Sequence, residues 1–246
     1  MLFGRVATAT LPHLITKIAQ RLTAPELTFL MKHPLEYPVL FISGIDTDAG
    51  KTYATAWLAQ RIAAAGRSVI TQKFIQTGCT GTSEDIEAHR RLCGLPMLPD
   101  ELDGTTAPII FTYPASAQLA ARLDGREIDL SLVDRSTASL RSRYDCVLVE
   151  GAGGLMVPVT DDIFTIDYIA SRRLPLVLVT NGRLGSINHT LLSLEAIKAR
   201  GIELAAVVYN HHFDTDAVIA EDTRAFIGRY VARRFPLAEI LDLPAM

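Results

Sequence analysis

The sequence predicts an α/β fold: a doubly wound, mainly parallel sheet with helices on both faces. Three observations predict it. Short apolar runs alternate along the chain with longer runs of helical period. The apolar runs lack a polar face, as expected of parallel strands covered on both sides. The first of them, residues 39–43, feeds a tight loop that ends in Gly50-Lys51-Thr52 at the head of a helix.

Taken in order, strand 39–43 leads into the loop, where backbone N–H groups and a helix N-terminus would face an anion. Lys51 adds a point charge and the Thr52 hydroxyl suits Mg²⁺, which together make a nucleoside triphosphate cradle. The spacing is unusual, because five residues, Ile45 to Ala49, separate Gly44 from Gly50 instead of the common four. Helix 52–65 follows and stops at Gly66. Strand 68–73 ends in Lys73, followed by Phe74-Ile-Gln-Thr77-Gly78. Helix 84–93 has Ser83 as its cap and stops at Gly94. Helices 116–123 and 130–143 precede strand 146–150, which ends in Glu150 and a glycine-rich turn through Gly154. Helix 165–172 leads to strand 176–180 and the segment Thr180-Asn-Gly-Arg-Leu-Gly185-Ser-Ile-Asn188. Helix 187–200 stops at Gly201, strand 204–210 ends in Asn210, and helix 216–229 follows. In doubly wound sheets ligands bind beyond the carboxyl ends of the strands, where these polar groups gather.

The bulk numbers narrow the function classes. A chain of 246 residues, 49% hydrophobic, suffices for one large domain over residues 37–246. A formal charge of −3 and no dense basic patch give no reason to expect a nucleic-acid partner. No apolar run reaches the ~18 residues of a membrane span. The widely spaced Cys79, Cys93 and Cys146 form no CxxC pair, which fits a reducing, cytoplasmic setting and speaks against a disulfide frame or zinc site. Residues 1–36 stand apart as an extension of unknown role. Its basic, acid-poor start and the amphipathic stretch 11–22 superficially resemble a transit peptide, but a peripheral helix or an upstream start codon is the plainer reading.

Each charged candidate has a plain alternative. A lysine at a strand end is ordinarily a surface residue, yet Lys73 beside the cradle would offset charge on a transferring phosphoryl group. Glu150 either holds Mg²⁺ or caps the next turn. Asp85 either joins it or favours the dipole of its own helix. Residues 186–188 either cap their helix or offer its free N–H groups to a carboxylate. Asn210 pairs with a base edge or caps a turn. His211 and His212 have no partner at metal-ligand spacing and read as solvated loop residues.

Four blocks carry a resemblance: Ser43-Gly-Ile-Asp-Thr-Asp-Ala-Gly-Lys-Thr52, Lys73-Phe-Ile-Gln-Thr-Gly78, Val149-Glu-Gly-Ala-Gly-Gly-Leu-Met-Val-Pro158 and Arg183-Leu-Gly-Ser-Ile-Asn-His189. In their order and spacing the chain resembles the dethiobiotin synthetases, P-loop enzymes that close the ureido ring late in biotin synthesis. The resemblance implies ATP and Mg²⁺, with 7,8-diaminononanoate and CO₂ or bicarbonate as substrates. One amine would become a carbamate, ATP would phosphorylate it to a carbamic–phosphoric mixed anhydride, and the second amine would close the ring. It implies Lys51, Lys73 and Thr47 as catalytic residues, with Thr47 and Thr77 holding the diamine and carbamate end. Asp48, Ala49, Gly50, Lys51, Thr52 and Tyr53, with Glu150 and Asn210, would form the nucleotide site, and Thr52, Asp85 and Glu150 the Mg²⁺ ligands. Gly185, Ser186 and Asn188 would receive the substrate carboxylate from the neighbouring subunit of a homodimer.

The chain departs from the family pattern in places. Asp48 stands where the family usually has Glu, and Phe74 replaces a usual proline. The short stretch after Gly78 leaves Asp85 and Glu84 as rival metal ligands, and the segment 237–241 lacks a proline after Ile240, which leaves base selectivity open. Partition-type switch ATPases share the loop class but carry a lysine where this chain has Asp46. Amidotransferase synthetases would need a further glutamine-hydrolysing domain, and a nucleotide-binding regulator would show no turnover.

Overall fold

The computed structural model describes residues 33–245. The stretch 11–22, singled out above for its amphipathic pattern, lies outside the described residues. Six strands form one parallel sheet in the order β2-β5-β1-β6-β7-β8. They are β1 (Val39–Gly44), β2 (Val69–Lys73), β5 (Cys146–Gly154), β6 (Leu176–Asn181), β7 (Leu204–Asn210) and β8 (Glu239–Leu243). A separate parallel pair joins β3 (Gln76–Thr77) to β4 (Ile110–Phe111). The helices are α1 (Lys51–Ala64), α2 (Glu84–Cys93), α3 (Pro99–Leu102), α4 (Ala117–Leu123), α5 (Leu130–Arg141), α6 (Thr165–Arg172), α7 (Ser186–Ala199) and α8 (Ala217–Arg234).

Alternation along β1 shows why the sheet needs two helical layers. Leu40 and Ile42 point to one face, where they meet Ala54, Leu58 and Ile62 of α1. Phe41 points to the other, in a core with Val133 and Leu140 of α5, Ile166 and Ile169 of α6, and Leu194 and Ile197 of α7. These side chains are all fully buried, so the strands carry no solvated face. The α2 helix packs on α1. The connection leaving β1 runs toward β2, whereas the one leaving β6 runs toward β7. This divergence opens a crevice at the carboxyl ends of β1 and β6.

The expected strands and principal helices are present, and Gly66, Gly94 and Gly201 all have the positive φ expected at a helix end. Four differences have physical causes. The β5 strand runs past Glu150 to Gly154, because Gly154 pairs with Gly44 of β1 and the glycine turn becomes part of the sheet. The two-residue strands β3 and β4 are too short to leave a periodic signal. The β8 edge strand follows a long helix within an unremarkable stretch and gains its identity by pairing Val207 with Ile240 and Val208 with Leu241. The α8 helix continues beyond residue 229 because Ile227 and Val231 share one buried face. No helix among the described residues is long and apolar enough to cross a membrane.

Candidate active site

The carboxyl ends of β1, β2, β5, β6, β7 and β8 surround one cavity of about 540 Å³. Its floor is the loop after β1. Gly50 caps α1 with φ +94°. Asp48 also adopts a left-handed conformation, with φ +56°, which a non-glycine residue rarely does. The Asp46 side chain accepts a hydrogen bond from the Thr47 N–H at 2.7 Å, and its carbonyl accepts one from Lys51 Nζ at 3.2 Å. Burial lowers the pKa of Lys51; the Glu150 carboxylate opposes that shift and the Lys73 ammonium adds to it.

Beside the loop lies a dense cluster of charge. Lys73 Nζ donates to Asp85 Oδ2 at 2.6 Å, to Glu150 Oε1 at 2.9 Å and to the Gly151 carbonyl at 3.1 Å. All of its ammonium protons therefore have acceptors. Thr52 Oγ1 lies 3.2 Å from both Asp85 Oδ1 and Glu150 Oε1. On the far side, His89 Nε2 lies 2.7 Å from Glu150 Oε2, with both side chains 1% exposed. Burial alone would raise the Glu150 pKa, but Lys73 and His89 outweigh it and hold the carboxyl well below the usual range. Burial likewise works against the Lys73 charge, and Glu150 and Asp85 reverse it, raising its pKa.

Thr52, Asp85 and Glu150 together present two carboxylates and a hydroxyl. These hard oxygen donors fit Mg²⁺, which takes a few protein oxygens and completes its shell with phosphate and water. Asp85 faces this cluster, with Thr52 Oγ1 at 3.2 Å, whereas Glu84 is exposed. Among the described residues no group of three or more His, Cys, Asp or Glu is arranged to hold a metal by itself.

The cavity also brings together Thr47, Asp48, Tyr53, Thr77 and Asn210 from the expected set. Ala49 sits just behind it, buried, and its carbonyl accepts a 3.2 Å hydrogen bond from Asn210 Nδ2. Asn210 Oδ1 in turn accepts from the His212 N–H at 3.1 Å. The side chain expected at the base edge thus ties the phosphate loop to the turn after β7. A Cβ on Gly50 would come within 2.1 Å of Asn210 Nδ2.

Gly185, Ser186 and Asn188 do not line this cavity. Gly185 caps α7 with φ +97°, Asn188 is exposed, and the buried Ser186 donates its hydroxyl to Asn181 Oδ1 at 2.5 Å. The His211 side chain is not simply solvated, because its imidazole bridges Asp214 at 2.6 Å and Asp242 at 3.0 Å. Although burial lowers its pKa, these two carboxylates overcome that effect and raise it. His212 lies near Tyr53, with ring centroids 6.4 Å apart and planes 9° from parallel. The Arg183 guanidinium sits 3.7 Å from the centroid of Phe213.

His89, Phe213, Pro244 and the role of Arg183 are additions that the sequence reading lacked. A signal existed for His89, which stands four residues after Asp85 and so on the same face of the helix. None existed for Phe213, in the short turn after β7, or for Pro244, which reaches the cavity only through the pairing of β7 with β8.

Residues 39–242 match the AAA_26 family model, described as an AAA domain. A curated protein of Chlorobaculum tepidum named ATP-dependent dethiobiotin synthetase BioD is 52% identical over 206 residues, spanning 83% of this chain and 86% of its own. One of Pasteurella multocida, named ATP-dependent dethiobiotin synthetase BioD 2, is 47% identical over 207 residues, spanning 83% of this chain and 97% of its own. The corresponding Haemophilus influenzae protein of the same name is 49% identical over 187 residues, spanning 76% and 98%. With a P-loop fold and relatives of this identity, the chain belongs to the ATP-dependent dethiobiotin synthetase family.

Proposed function

We propose that this enzyme carboxylates 7,8-diaminononanoate and closes it to dethiobiotin with ATP. The observation that carries the reading is the convergence of Lys51, Lys73, Thr52, Asp85 and Glu150 on one cavity of a size to take a nucleotide triphosphate tail and a small diamine. In the first step an amine nitrogen bonds CO₂ and loses a proton, giving a carbamate that Thr47 and Thr77 would orient by hydrogen bonds. A carbamate oxygen then attacks the γ-phosphorus, the bond to the β-phosphate oxygen breaks, and ADP leaves. Both partners are anions, so Lys51 would bridge the phosphates while Lys73 turns from its carboxylates to the reacting oxygens. Mg²⁺, held by Thr52, Asp85 and Glu150, would supply further charge neutralisation. The second amine attacks the carbamoyl carbon, phosphate departs with its bond pair, and a proton leaves the nitrogen.

The substrate carboxylate would meet Gly185, Ser186 and Asn188 of a second subunit in a homodimer. Supporting this, Gly185 and Asn188 are exposed at an α7 N-terminus that lies outside the cavity of their own chain. The test is phosphate release from ATP and Mg²⁺ in bicarbonate buffer, with and without the diamine. Diamine-dependent release lost in Lys51→Ala supports the proposal; release indifferent to the diamine refutes it.

A further inference from the structure

The Mg²⁺ reading assigns roles to Thr52, Asp85 and Glu150 but leaves His89 without one. This imidazole is 1% exposed and is the one buried histidine among the described residues. Its Nε2 lies 2.7 Å from Glu150 Oε2, while its Nδ1 is buried without a hydrogen-bond partner. A carboxylate oxygen accepts, so the proton belongs on Nε2. With the proton there, Nδ1 is a bare lone pair, which is less costly to bury alone than an unpaired N–H.

The consequence concerns how Glu150 is aimed. Its Oε1 faces Lys73 and Thr52, and its Oε2 is held by His89. Without a fixed partner on Oε2, the carboxylate could turn about its terminal torsion, which has broad and shallow preferences. The α2 helix carries Asp85 and His89 one turn apart, so it supplies a ligand and the brace for another ligand from one face. We propose that His89 is a positioning residue, whose Nε2–H fixes Glu150 Oε2 so that Oε1 faces Thr52 and Asp85 as a divalent-cation ligand. The proposal rests on the reading of Thr52, Asp85 and Glu150 as the Mg²⁺ set.

The test measures Mn²⁺ affinity by electron paramagnetic resonance in the full chain with saturating ADP, beside ADP affinity in chelator and thermal unfolding. His89→Leu should weaken Mn²⁺ binding roughly 10–100-fold, the usual loss when such a partner is removed, while metal-free ADP binding stays within about two-fold. His89→Gln places an amide N–H near the Nε2 position and should restore Mn²⁺ to within about three-fold of wild type. His89→Asn, which is too short, should not restore it. Should His89→Leu fail to fold, the Gln and Asn variants alone decide: equal Mn²⁺ affinity in these two overturns the proposal, as does wild-type affinity in a folded His89→Leu. Failure of the wild type itself to bind Mn²⁺ with ADP would instead remove the metal reading, and this proposal with it.

Discussion

At the β2–β5 end of the cavity the Lys73–Glu150 pair is sealed from water, whereas at the β7–β8 end the charges remain partly in it. The side chains of Lys73 and Glu150 are 6% and 1% exposed; those of Arg224 and Asp242, paired beneath the other end, are 28% and 48% exposed. The sealed end presents charge, with every ammonium proton of Lys73 assigned. The open end offers aromatic faces, Tyr53 beside His212 and Phe213 beneath Arg183. Electrostatic effects are large where water is excluded and small where it competes. The two ends should therefore respond to substitution on different scales and in different parameters.

The largest effect belongs to the sealed end. Lys73→Ala strands two carboxylates, one of them fully buried, and in the proposed mechanism would also remove a cation from the reacting oxygens. Turnover should fall roughly 10²–10³-fold, and stability in urea should fall by about 3–5 kcal/mol. An equally large loss from Arg224→Ala would break the comparison. Next comes the point where the ends meet. Gly50→Ala adds a Cβ against Asn210 at a φ of +94°. It should cost about 1–3 kcal/mol through backbone strain alone, with nucleotide affinity falling too. Asn210→Ala in the same chain should recover part of the loss, read as a double-mutant cycle by calorimetry.

At the open end Phe213→Ala should raise the nucleotide KM about 3–10-fold with kcat nearly unchanged, the sign of contacts made equally in ground and transition states. A fall in kcat instead would mean that the aromatic end shapes the chemistry. The pH profile gives the smallest but sharpest contrast. Glu150 has a lowered pKa, so its contribution to stability is present above its ordinary value of 4.5 and is lost as pH falls toward the folded value. His211 has a raised pKa, so its contribution is full below 6.5 and is lost as pH rises through the folded value. Glu150→Gln should flatten the acid limb of a stability–pH curve. His211→Gln should flatten the limb above neutrality, by about 0.5 kcal/mol because solvent screens the pair.

Legibility in the sequence followed the same division. Lys51, Thr52, Lys73 and Glu150 announced themselves because each closes an apolar strand or opens the helix after it. Asp85 could be separated from Glu84 only by geometry, since both acids start one helix and its rotation decides which of them faces Thr52. His89 was readable in principle from its four-residue spacing after Asp85, but no motif pointed to it. Pro244 and the Asp242 arm of the His211 bridge were not readable, because they depend on β8, an edge strand whose partner sits some thirty residues earlier. Local pattern reveals what a strand end carries; it does not reveal which distant strand end stands beside it.

The strand order has a consequence for how the molecule is made. The first strand pairs with β5 and β6 and not with β2, its neighbour in sequence. As the chain leaves the ribosome, Val39–Gly44 has no strand to join until Cys146–Gly154 emerges, about a hundred residues later. At ordinary synthesis rates that wait is roughly 5–20 s. The phosphate loop, which depends on both flanking strands and on Asn210, is therefore assembled late in biosynthesis. Nascent chains should acquire the ability to retain nucleotide only after β7 has been translated, although the loop itself is translated first.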